Sequence, residues 1–296
     1  MLRHLFSIAF LFLVTLTTSF GQSSPRMIPA SETQSSIAVI HGPHWVFAPA
    51  PNSRKNKLVI SIPGTGGSPN GLASFDSVAS LLGFHAISLD YKNDVITTVC
   101  RASLDSNCYD LFRKEIVFGT PVSDTVHVDS VNSIHNRIYR LLAFLSSNYP
   151  KDGWENFFRN GIIIWPNIIA SGHSQGAGHA AYLGKNFPLD KVIILAGPQD
   201  YLDHFERPAP WINMKTKTPP ERYFALLHRL DPFGFEKQFA SCLRLSQTQS
   251  KDSISLDAPH AMAKKGNILI THVNLSPHGS VANPIQARAW KYMLEK

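Results

Sequence analysis

Apolar positions recur along the chain in two alternating rhythms. Short, nearly continuous apolar runs predict buried strands at 57–62, 84–89, 167–170, 191–196, 222–227 and 267–273. Between them, apolar residues fall at three- and four-residue steps. Leu72, Phe75, Val78, Ala79 and Leu82 predict a helix over 71–82, and Val131, Ile134, Ile138, Leu141, Leu142 and Leu145 another over 131–148. Asp129 or Ser130 is positioned to cap the second, which ends before Pro150. Further helices are expected at 175–185 and 284–294, and Phe239, Ala240, Cys242, Leu243 and Leu245 read as one helix face. Strands alternating with helices predict a mainly parallel sheet covered on both faces. Two stretches break the alternation: 91–128, and the Pro- and Trp-rich 198–220. Insertions of this length in a compact domain commonly serve as lids or binding walls.

The first residues follow another pattern. Arg3 and His4 precede an apolar run from Leu5 to Leu16, then Thr17, Thr18, Ser19, Phe20 and Gly21. Basic start, short apolar middle and small residues at a cleavage point after Gly21 define a secretory signal over 1–21. The run is too short to span a bilayer, so no stable membrane anchor is expected. A Ser-, Gln- and Pro-rich segment over 22–36 reads as a flexible leader, leaving 37–296 as the folded domain. Export would suit a disulfide between Cys100 and Cys108, eight residues apart, with Cys242 left as a buried thiol, although three cysteines permit other pairings.

Hydrophobic content of 44% and charged content of 17% exclude disordered and collagen-like classes. The net charge of +7 changes little, because Lys and Arg are dispersed and no nucleic-acid-binding signature accompanies them. His41 and His44 lack further ligands nearby, and the Gly64–Gly67 loop lacks the spacing and lysine of a phosphate loop. Neither a metal nor a cofactor is therefore expected.

Chemistry concentrates in Gly172-His173-Ser174-Gln175-Gly176, set between an apolar strand and a helix-forming run that opens with Ala177 and Gly178. A serine hydroxyl attacks a carbonyl only if it stands exposed beside a base, and a sharp strand-to-helix turn achieves this. Such a turn brings positions two before and two after the serine into contact, which explains Gly172 and Gly176. On these residues the chain resembles the α/β-hydrolase superfamily, from about residue 45 to the C-terminus. The resemblance implies a mainly parallel α/β-hydrolase sheet flanked by helices, with a small irregular cap and Ser174 after the fifth strand. It implies a Ser, acid, His order along the chain. His278, in a turn-forming loop after the last strand, is the expected base; His272 and His260 fit less well by position. The acid is Asp231 after the seventh strand, or else Asp200. The oxyanion donors expected are the Gln175 N–H and, in the Pro63-Gly64-Thr65-Gly66-Gly67 loop, that of Thr65 or secondarily Gly66. This chain has Pro63-Gly64 where many members have His-Gly, a change that leaves backbone donors in place.

The function implied is hydrolysis of a small-molecule or polymeric carboxylic ester through an acyl-serine. The same triad also serves peptidases and acyltransferases, and the fold can persist in a secreted binding protein without turnover. Phe205 and Trp211, in the Pro-rich insertion, are candidates for shaping the substrate pocket.

Overall fold

The computed structural model describes residues 24–258, 261 and 265–296. The expected signal over 1–21 and His260 lie outside them. Nine strands form one sheet: β1 (Arg26–Ile28), β2 (His44–Phe47), β3 (Leu58–Ile62), β4 (His85–Ser88), β5 (Ile168–His173), β6 (Lys191–Leu195), β7 (Tyr223–His228), β8 (Ile254–Ser255) and β9 (Ile268–Thr271). Their spatial order is β1-β2-β4-β3-β5-β6-β7-β9-β8. Within this sheet, among the described residues, only the β1–β2 and β2–β4 pairings are antiparallel; every pairing from β4 through β3 to β8 is parallel. This is the mainly parallel sheet expected from the alternation of elements.

Alternation along each strand divides the core. Leu58, Ile60 and Ile62 of β3, Ile168 and Ala170 of β5, and Val192 and Ile194 of β6 face one layer. Val59, Ile169, Ile193 and Leu195 face the other. The first layer is closed by α3 (Cys108–Phe118), α4 (Ile134–Asn148), α5 (Gln175–Asn186) and α6 (Phe235–Ser246). The second is closed by α2 (Ala73–Leu81) and α8 (Ala287–Glu295). Each fully buried Leu, Ile or Phe stabilises the fold by about 1.5–3 kcal/mol relative to exposure. A strand buried on both faces must therefore read as a continuous apolar run.

Three local expectations change. Helix α4 starts at Ile134, capped by Ser133, whose Oγ accepts the Asn136 N–H at 3.2 Å. Asp129 instead accepts the Asn132 N–H within the preceding turn. The segment expected as a flexible leader contains β1, paired with β2, and α1 (Ala30–Thr33). Ile28, Ala30 and Ile37 are buried, so a few apolar side chains suffice to bring this polar stretch onto the sheet. The insertion 91–128 contains α3, whose apolar face is interrupted by the buried Arg113 and Glu115. Glu115 accepts the N–H groups of Val122, Ser123 and Val128 and folds the rest of the insertion back onto α3.

No helix lies between β6 and β7 beyond short 3-10 turns at Pro210–Asn213 and Pro220–Arg222; a two-stranded hairpin pairs 201–202 with 207–208. Cys100 and Cys108 form a disulfide that joins the turn Thr97–Cys100 to the first residue of α3. Cys242 is buried as a free thiol, its Sγ 3.2 Å from the Gly197 carbonyl oxygen, and burial pushes its pKa up. Among the described residues no helix is long and apolar enough to cross a membrane.

Candidate active site

Ser174 sits between the end of β5 and the start of α5 with φ 56° and ψ −120°, a conformation that costs a non-glycine residue of order 1–3 kcal/mol. Close packing holds it there. A Cβ on Gly172 would stand 2.2 Å from the Gly176 carbonyl oxygen, and one on Gly176 1.9 Å from that of Ile62. Both glycines of the motif are thus required by backbone contact. Gly178 answers to a third constraint: a Cβ there would stand 2.1 Å from the guanidinium of Arg113.

Arg113, fully buried on α3, donates to the Gln175 carbonyl at 2.7 Å and to both carboxylate oxygens of Asp200 at 2.6 and 3.0 Å. The Trp211 indole N–H also donates to Asp200, at 2.9 Å. Asp200 therefore accepts three hydrogen bonds, is fully buried and braces the first turn of α5 through Arg113. It does not meet His278. Trp211 lies in the core, with Phe205 packed against the same core cluster, and neither lines the cavity at Ser174. The indole N–H needs a buried acceptor, and Asp200 supplies it.

Asp231 does meet His278: its Oδ2 lies 2.8 Å from Nδ1, while Oδ1 accepts the Phe233 N–H at 2.9 Å. Burial alone would raise the pKa of this carboxyl. The hydrogen bond and charge of His278, with the Phe233 N–H, outweigh burial and hold it below the usual carboxylate value. A carboxylate on Nδ1 leaves the imidazole Nε2 as the free acceptor. Ser174 and His278 line one cavity of about 400 Å³. The serine Oγ accepts from the Gln199 side-chain amide at 3.3 Å, and among the described residues no hydrogen bond joins it to the imidazole. Such bonds often tighten only when substrate arrives.

The expected oxyanion donors divide. The Gly66 N–H is taken by the Asn93 carbonyl at 3.0 Å and drops out. Thr65 lines the cavity, and its hydroxyl donates to Gln175 Oε1 at 2.5 Å, tying the β3 loop to the start of α5. Gln175 is the first residue of α5, where a helix leaves its N–H without an intrahelical partner. Asn93 Nδ2 braces the loop by donating to the carbonyls of Gly64 and Gly67 at 2.7 and 2.9 Å.

Several residues here carry no sequence signal. Asn93, Gln199 and Arg113 act through contacts across the chain, and the cavity walls are Ile96, Thr97, Thr98 and Phe233. Among the described residues no three His, Cys, Asp or Glu side chains gather into a metal site, and His44 Nδ1 instead accepts the Asp90 N–H.

No family model matches the chain. No curated protein matches it either. Solved structures similar to it include a dienelactone hydrolase from Anabaena variabilis, 12% identical, covering 93% of this chain and 99% of that one, with a TM-score of 0.47. A bacterial heroin esterase is 16% identical over 95% of this chain and 86% of its own, with a TM-score of 0.47. An α/β serine hydrolase without lid from Xanthomonas campestris is 11% identical over 92% and 94%, with a TM-score of 0.46.

Proposed function

We propose that the protein is an exported serine hydrolase that cleaves an uncharged carboxylic ester through an acyl-serine intermediate. The observation that carries this reading is the Asp231–His278 contact at 2.8 Å, with His278 lining the same cavity as a serine held at φ 56°. In the proposed reaction Ser174 Oγ attacks the ester carbonyl while His278 Nε2 takes its proton, and Asp231 stabilises the imidazolium that forms. The Gln175 and Thr65 N–H groups receive the oxyanion. His278 returns the proton to the leaving alcohol, and water repeats the sequence on the acyl-serine.

The lining limits the substrate. Ile96, Thr97, Thr98 and Phe233 form the walls, and no Lys, Arg, Asp or Glu stands among the described residues that line the cavity. A charged acyl group would lose its hydration there without a partner. The Cys100–Cys108 disulfide favours an oxidising compartment and so supports export.

Treatment with a fluorescent fluorophosphonate tests the nucleophile: the wild type should label and Ser174→Ala should not. Equal labelling of both, or of neither in folded protein, rules against this site. Turnover of matched ester, amide and carboxylate-bearing substrates then separates esterase from peptidase and neutral from anionic preference. Mass spectrometry of the exported protein checks cleavage after Gly21.

A further inference from the structure

We infer that His173, the residue before the nucleophile, is a positioning residue that holds the His278 backbone against the serine turn through its Nε2–H. This rests on the reading of His278 as the catalytic base. His173 Nε2 lies 2.8 Å from the carbonyl oxygen of His278, and the two rings stand 4.8 Å apart. A carbonyl oxygen only accepts, so Nε2 carries the hydrogen and Nδ1 keeps a lone pair. Burial, and secondarily the charge of His278, push the pKa of His173 down to about 4, so the ring stays neutral when His278 gains a proton.

The tether matters because of what carries His278. That residue sits in α7 (Pro277–Ser280), four residues long and joined to β9 by a loop. So short a helix cannot fix its own orientation by backbone bonding. Asp231 fixes the His278 side chain, and His173 fixes its peptide. Because His173 is the last residue of β5, the bond references the base directly to the strand that presents the nucleophile. A displacement of about 1 Å between nucleophile and base costs on the order of 10²-fold in rate.

Three variants separate tethering from bulk. His173→Gln places an amide N–H where Nε2 lies, His173→Asn is polar but too short to reach the carbonyl, and His173→Phe keeps the ring without the donor. Steady-state ester hydrolysis should show kcat lowered 10- to 100-fold at unchanged KM in the Asn and Phe variants, and largely restored in the Gln variant. Proton NMR supplies a readout that needs no turnover. The wild type should show a low-field His278 Nδ1–H resonance, identified by its loss in His278→Ala. It should persist in His173→Gln and broaden or vanish in His173→Asn and His173→Phe. Unchanged kcat and an unchanged resonance in His173→Phe overturn the inference, as does absence of the resonance from the wild type. A wild type that shows the resonance, with the expected variant pattern, but neither labels nor turns over ester would instead overturn the proposed function and leave the tether standing.

Discussion

Asp231 and Asp200 both follow parallel strands at the edge of the catalytic region, and what each holds determines its role. Asp231 faces one imidazole and one backbone N–H, so replacing it by Asn preserves shape and removes the charge that stabilises an imidazolium. Asp231→Asn should lower kcat by on the order of 10³–10⁴-fold and leave the fold intact. Asp200 neutralises a buried guanidinium, and Asp200→Asn leaves Arg113 uncompensated. That variant should lose about 3–5 kcal/mol of unfolding free energy, read by denaturant titration. If instead Asp200→Asn silences a stable enzyme while Asp231→Asn stays active, the assignment of the acid is reversed. The sequence leaves these two carboxylates unresolved because both occupy plausible loop positions. Their difference lies in partners 87 and 47 residues away along the chain. Ser174, Gly172 and Gly176 are legible for the opposite reason, since a turn constrains residues adjacent in sequence.

At the level of elements, the same division between local and long-range causes holds. Strands β3, β5, β6 and β7 are readable because burial on both faces makes them continuous apolar runs. Helix α3 escapes a periodicity reading because Arg113 and Glu115 stand inside its buried face, one bracing α5 and the other the rest of the insertion. The cavity wall at 96–98 is equally hidden, since nothing local says where that loop packs. It is anchored just after Thr98 by the Cys100–Cys108 bond and by the adjacent Arg101, which donates to the Phe233 carbonyl at 2.9 Å. Closing so short a loop is worth about 2–3 kcal/mol in the chain-entropy account. The double variant Cys100→Ser, Cys108→Ser should lose roughly that stability and raise KM more than it lowers kcat. A variant with native KM would show that the wall is held without the disulfide. Gly178→Ala should act through α3 instead, displacing Arg113 and destabilising the fold without touching the cavity wall.

Over the whole molecule, buried titratable groups on both sides of the sheet set opposite limits on stability. On the α2 side Asp76 is fully buried beside Ser61, whose hydroxyl donates to it at 2.5 Å, and burial raises its pKa from 3.8 to about 8. Folded protein thus holds a proton that the unfolded chain releases above pH 3.8, so this contribution to stability declines from there to about pH 8. Well inside that interval the loss from this one group is about 1.4 kcal/mol per pH unit, and it halves near pH 8. Buried imidazoles act the other way. Burial lowers His44 to about 3 and His85 and His173 to about 4, and holds His179 well below 6.5. The unfolded chain takes up protons at these positions as pH falls through 6.5 while the folded chain does not, so acid destabilises the fold down to pH 3–4. At pH 6.5 the imidazoles of the unfolded chain are still half protonated and outweigh the one carboxyl, so the opposing slopes cancel and stability should peak at about pH 7, falling steeply on the acid side and gently on the alkaline side. Asp76→Asn keeps an acceptor for Ser61 and removes the proton from the balance. Urea titrations at pH 5, 6.5 and 8 should therefore show the wild type about equally stable at pH 6.5 and 8, while Asp76→Asn gains about 1–2 kcal/mol over that interval and has the steeper acid limb, because no carboxyl opposes its imidazoles. Parallel pH profiles in the two proteins would mean that Asp76 gains no proton on folding and is buried as a carboxylate beside Ser61.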